Sequence, residues 1–259
     1  MSNSSVLDQI IEGVLEDVKS RVRPISELTA QIPNAPKLRD AYGALSKTGT
    51  RLIAEVKRSS PSKGVLAQIS DPAELAIQYQ NGGADVISVL TEQRRFNGSM
   101  ADLISVRSAI NIPVLRKDFI VTEFQVYESR LLGADLILLI VAGLTQSQLT
   151  DYYQLATELG MSVLVEVHDE DEAAKAVALN AKIIGVNSRN LKTLEVSGKN
   201  FEKIFPHLPK EVIKIAESGI STRAQVEEVE KLGANGILVG ESLVKSNDPA
   251  AMIKELLNR

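Results

Sequence analysis

Short apolar runs alternate along this chain with amphipathic segments of helical length, and the alternation is regular from residue 51 onward. The segments at 71–82, 122–133 and 221–233 repeat apolar residues at helical spacing, with polar residues on the other face. Several segments end in glycine, which readily caps a helix C-terminus. Between them lie eight runs rich in β-branched residues and leucine, which predict strands at 51–57, 84–91, 112–119, 134–142, 162–168, 182–189, 212–219 and 235–240.

Near-continuous apolar strands that alternate with helices are typical of parallel sheets covered by helices. Eight such units predict an α/β protein with a closed (β/α)8 barrel, a TIM barrel, because open doubly wound sheets usually have fewer strands. The first strand is also not followed by the GxGxxG sequence of a dinucleotide-binding sheet. We therefore expect residues 51–259 to form the barrel.

An arm of about fifty residues, 1–50, precedes the first strand. From Val6 to Val22 its apolar side chains recur three and four residues apart, which predicts a helix. The segment 32–43 contains two prolines and should connect this helix to the barrel. Since an exposed apolar stripe is unfavourable, we expect the arm to pack on the barrel within a single domain, 1–259.

Polar and charged residues gather at the C-terminal ends of the predicted strands. A TIM barrel carries its active site at this end, where the loops after the strands meet. One such residue could equally cap a helix or face solvent in a loop, but the same pattern at six strands predicts a site. The residues are Glu55, Lys57, Arg116, Lys117, Asp118, Glu166, His168, Asn187, Arg189, Glu217, Ser218, Gly219, Gly240 and Glu241.

The first predicted strand leads into an unusual stretch, residues 53–64. Glu55 and Lys57 are two residues apart and therefore share a face of the strand. The loop after them contains serines, a proline and a glycine. If that face points into the barrel, both charges lie at its mouth, beside a loop able to move over a ligand. The alternative is an ordinary ion pair on a surface strand.

Two turns that contain glycine, 217–221 and 239–242, follow the seventh and eighth strands. Barrels commonly bind phosphate at these two positions, through backbone N–H groups and the start of a short helix. Glycine lets the backbone approach an anion closely. The pairing of the two turns favours a phosphate site over simple tight turns.

Composition narrows the class of partner. The formal net charge of −4 and the pI near 5.4 give no basic surface for nucleic acid or anionic membranes, and no stretch is apolar enough for a membrane helix. The chain has no cysteine, which excludes disulfides and thiolate metal sites. Since the N-terminus lacks a signal-peptide pattern, we expect a cytoplasmic protein that acts on a small molecule.

Nine motifs occur in order from the first strand to the last. They are IAEVKRSSPSKG (53–64), SVLTE (88–92), FNGS (96–99), PVLRKDFI (113–120), ADLILLIVA (134–142), LVEVHDEDE (164–172), IGVNSRNLKT (184–193), IAESGI (215–220) and ILVGESLV (237–244). As an ordered set they resemble indole-3-glycerol phosphate synthase, a barrel enzyme of tryptophan biosynthesis. The resemblance covers essentially the whole barrel, and the arm is similar to the extra helices that this family carries over the barrel mouth.

The resemblance implies the family's reaction, in which 1-(2-carboxyphenylamino)-1-deoxyribulose 5-phosphate closes to indole-3-glycerol phosphate with loss of carbon dioxide and water. It implies no metal or other cofactor. The reaction needs an acid at the carbonyl oxygen, a base for the ring or amine proton, and groups that hold anions at both substrate ends. By resemblance Lys117 is the general acid, Glu166 is the general base, and Lys57 binds anions and is a candidate acid for a later step.

Crowding by Arg116 and Lys57 should lower the pKa of Lys117 toward the working range. Which lysine gives which proton stays open. The other positions that match the family are Glu55 and Asn187, which orient the lysines and bind substrate hydroxyls; Ser60 and Arg189, near the anthranilate end; Phe119 and Leu138, the apolar walls; and Ser218, Gly219, Gly240 and Glu241, the phosphate cradle.

Some residues depart from the family or lack a role in it. Glu241 stands where some members have serine, so only its backbone N–H is assigned to phosphate. We expect His168 and His207 to be structural and Lys63 to have no part in the reaction. Arg94 and Arg95, in the loop after the second strand, either tune the steering of the substrate or, as we favour, form a solvated charge pair.

Three other functions are ranked below the synthase. Phosphoribosylanthranilate isomerase shares the fold and the phosphate turns, but it usually relies on a cysteine, which this chain lacks. A Schiff-base aldolase would use Lys117 or Lys57 to attack a ketone. A non-catalytic phosphosugar-binding barrel would keep the phosphate cradle without the chemistry. We expect a monomer, as is frequent in the resembling family.

Overall fold

Eight parallel strands close into a barrel in the computed structural model, which describes residues 5–189 and 195–259. The strands are β1 (Arg51–Val56), β2 (Val86–Leu90), β3 (Val114–Lys117), β4 (Leu136–Ile140), β5 (Ser162–Val167), β6 (Ile183–Asn187), β7 (Ile213–Glu217) and β8 (Gly236–Val239). Each strand pairs with its neighbours in the sequence, and β8 closes the ring against β1. The predicted (β/α)8 TIM barrel is confirmed, with every strand inside its predicted range.

Helices precede the barrel and follow its strands. Those of the arm are α1 (Val6–Lys19), α2 (Ile25–Gln31) and α3 (Ala41–Leu45). Those of the barrel are α4 (Pro72–Gly82), α5 (Met100–Ala109), α6 (Glu123–Leu131), α7 (Gln146–Glu158), α8 (Glu170–Ala178), α9 (Lys199–Ile204), α10 (Arg223–Lys231), α11 (Glu241–Val244) and α12 (Pro249–Leu257). Short 3-10 turns lie at Ile32–Asn34, Val141–Gly143 and Phe205–His207, and a small hairpin, Ser59–Ser60 with Gly64–Val65, follows β1.

Local sequence explains where these helices begin and end. Thr122 and Thr222 each form a capping box with the glutamine three residues later, which satisfies backbone N–H groups at the start of α6 and α10. Gly133 (φ 87°) and Gly233 (φ 94°) take the left-handed conformation just after these helices, where glycine has no steric penalty. The two predicted helices are confirmed, and each ends within two residues of its predicted bounds.

The pleat of the strands separates an outer core from the barrel interior. In β1, Leu52 and Ala54 belong to the core between sheet and helices, whereas Ile53 belongs to the cluster that fills the barrel. Because alternate residues point to opposite faces, Glu55 follows Ile53 into the interior at the C-terminal end of the strand. Apolar residues from all eight strands pack in the interior, and charged residues occupy its mouth.

The N-terminal arm packs over the barrel mouth, where the first turns of α1 line the cavity described below. Helix α1 begins at Val6 as predicted and ends at Lys19, three residues before the predicted Val22. Its apolar stripe belongs to the same buried cluster as the barrel interior and consists of Leu7, Ile10, Val14 and Val18. Among the residues that the structure describes, no helix has the length and apolar character needed to cross a membrane.

The loop after β2 holds helix α1 from the barrel side. Arg94 donates to Glu16 at 2.8 Å and to Asp17 at 2.7 Å, and Arg95 donates to Gln9 of the same helix at 3.3 Å. Both arginines are exposed, as expected of solvated charges, but they also connect the loop to the helix. Their partners lie far away in the sequence, so no local pattern predicts these contacts.

Candidate active site

A cavity of about 400 Å³ opens at the C-terminal ends of the strands. Strand ends, the loop after β1 and the start of α1 form its wall. The residues to which the family resemblance gives a role all line this cavity: Glu55, Lys57, Ser60, Lys117, Phe119, Leu138, Glu166, Asn187, Arg189, Ser218, Gly219, Gly240 and Glu241. Of the other strand-end residues, Asp118 and Glu217 also line it, whereas Arg116 and His168 do not. The structure thus brings side chains from seven strands and the loops after them into one space.

Two lysines face the cavity, each beside a carboxylate. Lys57 Nζ lies 2.6 Å from Glu55 Oε1, as expected for residues that share a strand face, and Ser88 Oγ donates to Glu55 Oε2 at 3.4 Å. Lys117 Nζ donates to Glu166 Oε2 at 3.1 Å. The two carboxylates are only 2% and 1% exposed. Each lysine therefore supplies the opposite charge that a buried carboxylate requires.

Lys117 stays protonated at neutral pH in this environment. Burial by itself lowers the pKa of its ammonium group, but the carboxylates of Glu166, Glu217 and Glu55 outweigh burial and raise the pKa above its ordinary value. The expectation that neighbouring cations lower this pKa is wrong. The surroundings of Lys117 are dominated by negative charge.

Arg116, which precedes Lys117, lies on the other side of the barrel wall because successive residues of a strand point to opposite faces. Its guanidinium is fully buried and pairs with Asp118 at 2.9 Å and with Glu128 at 3.0 Å. Lys57 is likewise occupied by its own carboxylate partner. Neither cation therefore crowds Lys117 in the way that the sequence suggested.

Glu217 at the end of β7 completes the charged cluster. Its Oε2 lies 3.9 Å from Lys117 Nζ, and its Oε1 is buried without a hydrogen-bond partner among the described residues. Gly185 on the neighbouring strand β6 makes room for this side chain, since a Cβ at that position would lie 1.9 Å from Glu217 Oε1. The Glu217 carboxylate therefore fills the space that the side chain of any larger residue at position 185 would need.

The two glutamates nearest to Lys117 titrate in opposite directions. Burial, and then the charge of Glu166, raise the pKa of Glu217 well above its ordinary value. Burial also acts to raise the pKa of Glu166, but Lys117 and His168 outweigh it and hold that pKa below its ordinary value. Glu166 is therefore ionised at neutral pH, whereas the surroundings of Glu217 favour its protonated form, so the same cavity shifts the pKa values of these two carboxyl groups apart.

One side of the cavity is apolar. Phe119 and Leu138 are buried there, and the ring of Phe119 lies 6.0 Å from that of Phe96, measured between centroids. Such a surface suits an aromatic ring. Arg189 reaches the loop after β1, where its Nη1 donates to Ser62 Oγ at 3.1 Å. The end of the motif at 184–193, residues 190–193, lies outside the described residues.

The opposite side consists of the turns after β7 and β8. Ser218 (φ 69°) and Gly219 (φ 77°) are both left-handed and line the cavity. Gly240 follows β8 where the backbone passes close to the side chain of Glu55, since a Cβ on it would lie 2.6 Å from Glu55 Oε1. The two turns thus lie next to one another, as the phosphate prediction requires.

An ion-pair network borders these turns. Glu241 Oε1 accepts from Lys63 and from Lys245, each at 2.8 Å. Lys63 belongs to the loop after β1, so this contact joins that loop to the turn after β8. Lys63, which the sequence leaves without a role, therefore lines the cavity and adds positive charge near the turns.

Comparison with known proteins identifies the family. The family model described as indole-3-glycerol phosphate synthase matches residues 7–256. The chain belongs to the indole-3-glycerol phosphate synthase family. Proteins named indole-3-glycerol phosphate synthase from Mycolicibacterium gilvum (strain PYR-GCK) and Rhodococcus opacus (strain B4) are 53% and 54% identical to it, covering 99% and 98% of this chain and 95% of each relative.

A solved structure supports the fold alone. The thiamine phosphate pyrophosphorylase from Pyrococcus furiosus superposes with a TM-score of 0.61 at 18% identity, covering 84% of this chain and 96% of that one. At such low identity the similarity says only that both chains form the same type of barrel.

Membership in the indole-3-glycerol phosphate synthase family confirms the function expected from the motifs. The chain is an enzyme, a carbon–carbon lyase of the carboxy-lyase type in tryptophan biosynthesis. Within the described ranges, no group of three or more acidic or histidine side chains could hold a metal ion.

Sequence reasoning gives no chemistry to two residues that the structure places in the charged cluster. One is Glu217, and its position at the C-terminal end of a strand was the only signal in the sequence that it belongs to the site. The other is His168, which we expected to be structural: its Nε2 lies 3.2 Å from Glu166 Oε1. Strand alternation was the available signal, since residues 166 and 168 share a face.

Proposed function

We propose that the charged cluster at the barrel mouth carries out the ring closure of 1-(2-carboxyphenylamino)-1-deoxyribulose 5-phosphate to indole-3-glycerol phosphate. One observation carries this proposal. Two ammonium groups and an ionised carboxylate face a single cavity, which has an apolar wall on one side and two glycine-containing turns on the other. The substrate has the matching order of parts, an aromatic acid, a ketone and a phosphate.

Lys117 acts as the acid of the first step. The ring carbon that bears the carboxylate attacks the ketone carbon, and the carbonyl oxygen takes a proton as negative charge develops on it. The raised pKa of Lys117 keeps the ammonium group charged until then. The ammonium reaches the substrate by exchanging its contact with Glu166 for the carbonyl oxygen. Carbon dioxide then leaves, and its bonding electrons return to the ring.

Glu166 acts as the base of the second step. The new hydroxyl leaves as water while the five-membered ring loses a proton, and the indole becomes aromatic. Glu166 is ionised at neutral pH and faces the cavity, which a general base requires. Lys57 is the candidate acid for the departing hydroxyl, and Glu55 and Asn187 orient the lysines and bind substrate hydroxyls.

The anthranilate end of the substrate binds against the apolar wall. Phe119 and Leu138 contact the aromatic ring, while Ser60 and Arg189 hold its carboxylate. A guanidinium can form two parallel hydrogen bonds with a planar carboxylate. The contact of Arg189 with Ser62 places the arginine beside the loop that carries Ser60.

The phosphate end binds at the two turns after β7 and β8. Backbone N–H groups of Ser218, Gly219, Gly240 and Glu241 supply the hydrogen bonds. Lys63 and Lys245 add charge at this end, although Glu241 neutralises part of it. No metal or other cofactor takes part in the proposed reaction.

We further propose that residues 1–259 form one domain, with an N-terminal extension (1–50) and a barrel (51–259), that acts as a monomer in the cytoplasm. The support for one domain is the shared buried cluster of α1 and the barrel interior. Because α1 itself lines the cavity, one chain supplies a complete site. Its small-molecule substrate requires neither a nucleic acid nor a membrane.

Turnover of the unaltered protein tests this proposal. The substrate is added, indole fluorescence and carbon dioxide are followed, and binding is measured by calorimetry. We expect one carbon dioxide for each indole formed. Binding without turnover supports a non-catalytic phosphosugar-binding barrel instead. Borohydride reduction that attaches the sugar to Lys117 or Lys57 supports a Schiff-base aldolase.

A further inference from the structure

A histidine lies directly behind the carboxylate that we propose as the base. His168 follows the end of β5, and its side chain is only 10% exposed. Its Nε2 lies 3.2 Å from Glu166 Oε1, and its Nδ1 lies 3.0 Å from Glu172 Oε2 in the first turn of α8. His168 does not line the cavity, so it can act on the reaction only through Glu166.

The contacts of this imidazole determine its protonation. Each ring nitrogen lies within ion-pair distance of a carboxylate oxygen, and an ionised carboxylate only accepts hydrogen bonds. A neutral imidazole would turn a lone pair toward one of the two carboxylates, whereas an imidazolium carries a proton on both ring nitrogens. Burial lowers the pKa of His168, but Glu166 and Glu172 outweigh burial and raise it to about 10.

The backbone fixes the outer partner of the ring. The N–H of His168 donates to Glu172 Oε2 at 2.8 Å, the same oxygen that contacts Nδ1. Glu172 is fixed in turn through its own N–H, which donates to Asp169 Oδ1 at 2.8 Å. The side of the ring facing Glu166 is different, because Nε2 makes a charge contact there without hydrogen-bond alignment.

Other groups around the imidazole leave its charge in place. Lys117 holds the second oxygen of Glu166, and burial together with the charge of Glu166 raises the pKa of Glu217, which lies next to both. From helix α9 an uncharged amide approaches, since Asn200 Nδ2 donates to the carbonyl of His168 at 3.2 Å. The remaining charged residues of α8 and α9 are exposed to solvent. They are Glu170, Asp171, Lys175, Lys199, Glu202 and Lys203.

We propose that His168 is a positioning residue that, as an imidazolium held by Glu172, fixes Oε1 of Glu166 and keeps this carboxylate ionised while Oε2 faces the reaction. The inference rests on the proposed function. The positive charge of His168 matters most during the reaction, because Glu166 loses one of its two neighbouring cations when Lys117 moves to the carbonyl oxygen. His168 is then the cation that remains beside the buried base.

Removal of the imidazolium should change the pH dependence of turnover. Without it, burial and the surrounding carboxylates raise the pKa of Glu166, so the acidic limb of the kcat profile moves to higher pH. For His168→Asn we expect this limb to move up by about one unit or more and kcat at pH 7 to fall roughly 10- to 100-fold. Because His168 does not touch the cavity, KM should change less than about threefold.

Two further variants separate charge from shape. His168→Gln places an uncharged donor that can reach Glu166, so kcat should partly recover relative to His168→Asn while the acidic limb stays displaced. The matched control is His207→Gln, because His207 is the other histidine of the chain and is exposed. This control should retain both kcat and pH profile. A displaced limb in the control, or an unchanged limb in His168→Asn, would overturn the proposal.

The charge of the ring can be observed without turnover. In protein labelled with 15N-histidine, the resonances that survive in His207→Gln belong to His168. We expect both ring nitrogens to be protonated from pH 6 to 8, with deprotonation near pH 10. A neutral tautomer at pH 7 would contradict the imidazolium. If the spectra agree but the unaltered protein shows no turnover, the proposed function fails and the charge assignment stands.

Discussion

Arg116 and Lys117 are neighbours in the sequence that the barrel wall separates, and their replacement should produce opposite effects. Arg116→Met removes a fully buried guanidinium from the outer core. Lys117→Met removes an ammonium that faces the cavity. We expect the first change to lower stability while the folded protein keeps its activity, and the second to abolish activity with little loss of stability.

The cost of Arg116→Met follows from its partners. Asp118, 4% exposed, loses its only ion-pair partner among the described residues, whereas Glu128 keeps Arg21 at 2.9 Å. Removing one member of a buried ion pair typically costs about 3–5 kcal/mol, and the retained Arg21 places this variant near about 3 kcal/mol. With an unfolding entropy of about 2.1 cal/mol/K per residue, the 259 residues give a fall in Tm of about 5–6 °C.

Circular dichroism at 222 nm measures Tm, and indole fluorescence at 25 °C measures turnover. Lys117→Met should shift Tm by about 3 °C or less, because Glu166 keeps His168 beside its other oxygen at 3.2 Å, and should lower kcat at least about 100-fold. Lys254→Met, on an exposed position of α12, is the control and should change neither. An Arg116→Met protein with unchanged Tm and lost turnover would refute the placement of the two residues.

Three further predictions concern single contacts. Gly185→Ala forces the Glu217 carboxylate, 3.9 Å from Lys117 Nζ, to move, so unfolding in urea should show a loss of about 1–3 kcal/mol together with a lower kcat; an unchanged kcat would show that the position of this carboxylate beside Lys117 does not affect the reaction. Because the pKa of His168 is raised from 6.5 to about 10, its contribution to stability is complete below pH 6.5 and disappears toward pH 10. The free energy of unfolding, measured in urea, should therefore change less between pH 6 and pH 9.5 in His168→Asn than in the unaltered protein. Arg94→Met frees α1 from the loop after β2, so amide exchange in α1 should accelerate while the barrel strands stay protected; equal exchange would refute the anchoring.

The sequence predicts the barrel well because its signals are local and repeated. Each strand is a short apolar run, each helix has an amphipathic period, and capping residues such as Thr122 and Gly133 lie at the boundaries. The interior position of Glu55 and Lys57 also follows from strand alternation once a barrel is assumed. These features need no knowledge of distant contacts.

The details of the site depend on contacts that the sequence does not reveal. Arg116 and Lys117 look like one basic cluster when alternation is ignored, and this produced the wrong direction for the pKa of Lys117. The pairing of His168 with Glu172 depends on the turn between β5 and α8. The contact of Arg94 with α1 joins segments 77 residues apart, which no local pattern specifies.

The most direct test of the proposed mechanism separates chemistry from binding in two variants. For Lys117→Ala and Glu166→Ala, kcat is measured by indole fluorescence, and the dissociation constant of indole-3-glycerol phosphate is measured by calorimetry, with Lys254→Ala as the control. We predict that both variants lose at least about 100-fold in kcat and still bind the product within about tenfold, since the apolar wall and the phosphate turns are intact. A variant that keeps most of its kcat would contradict the role assigned to that residue.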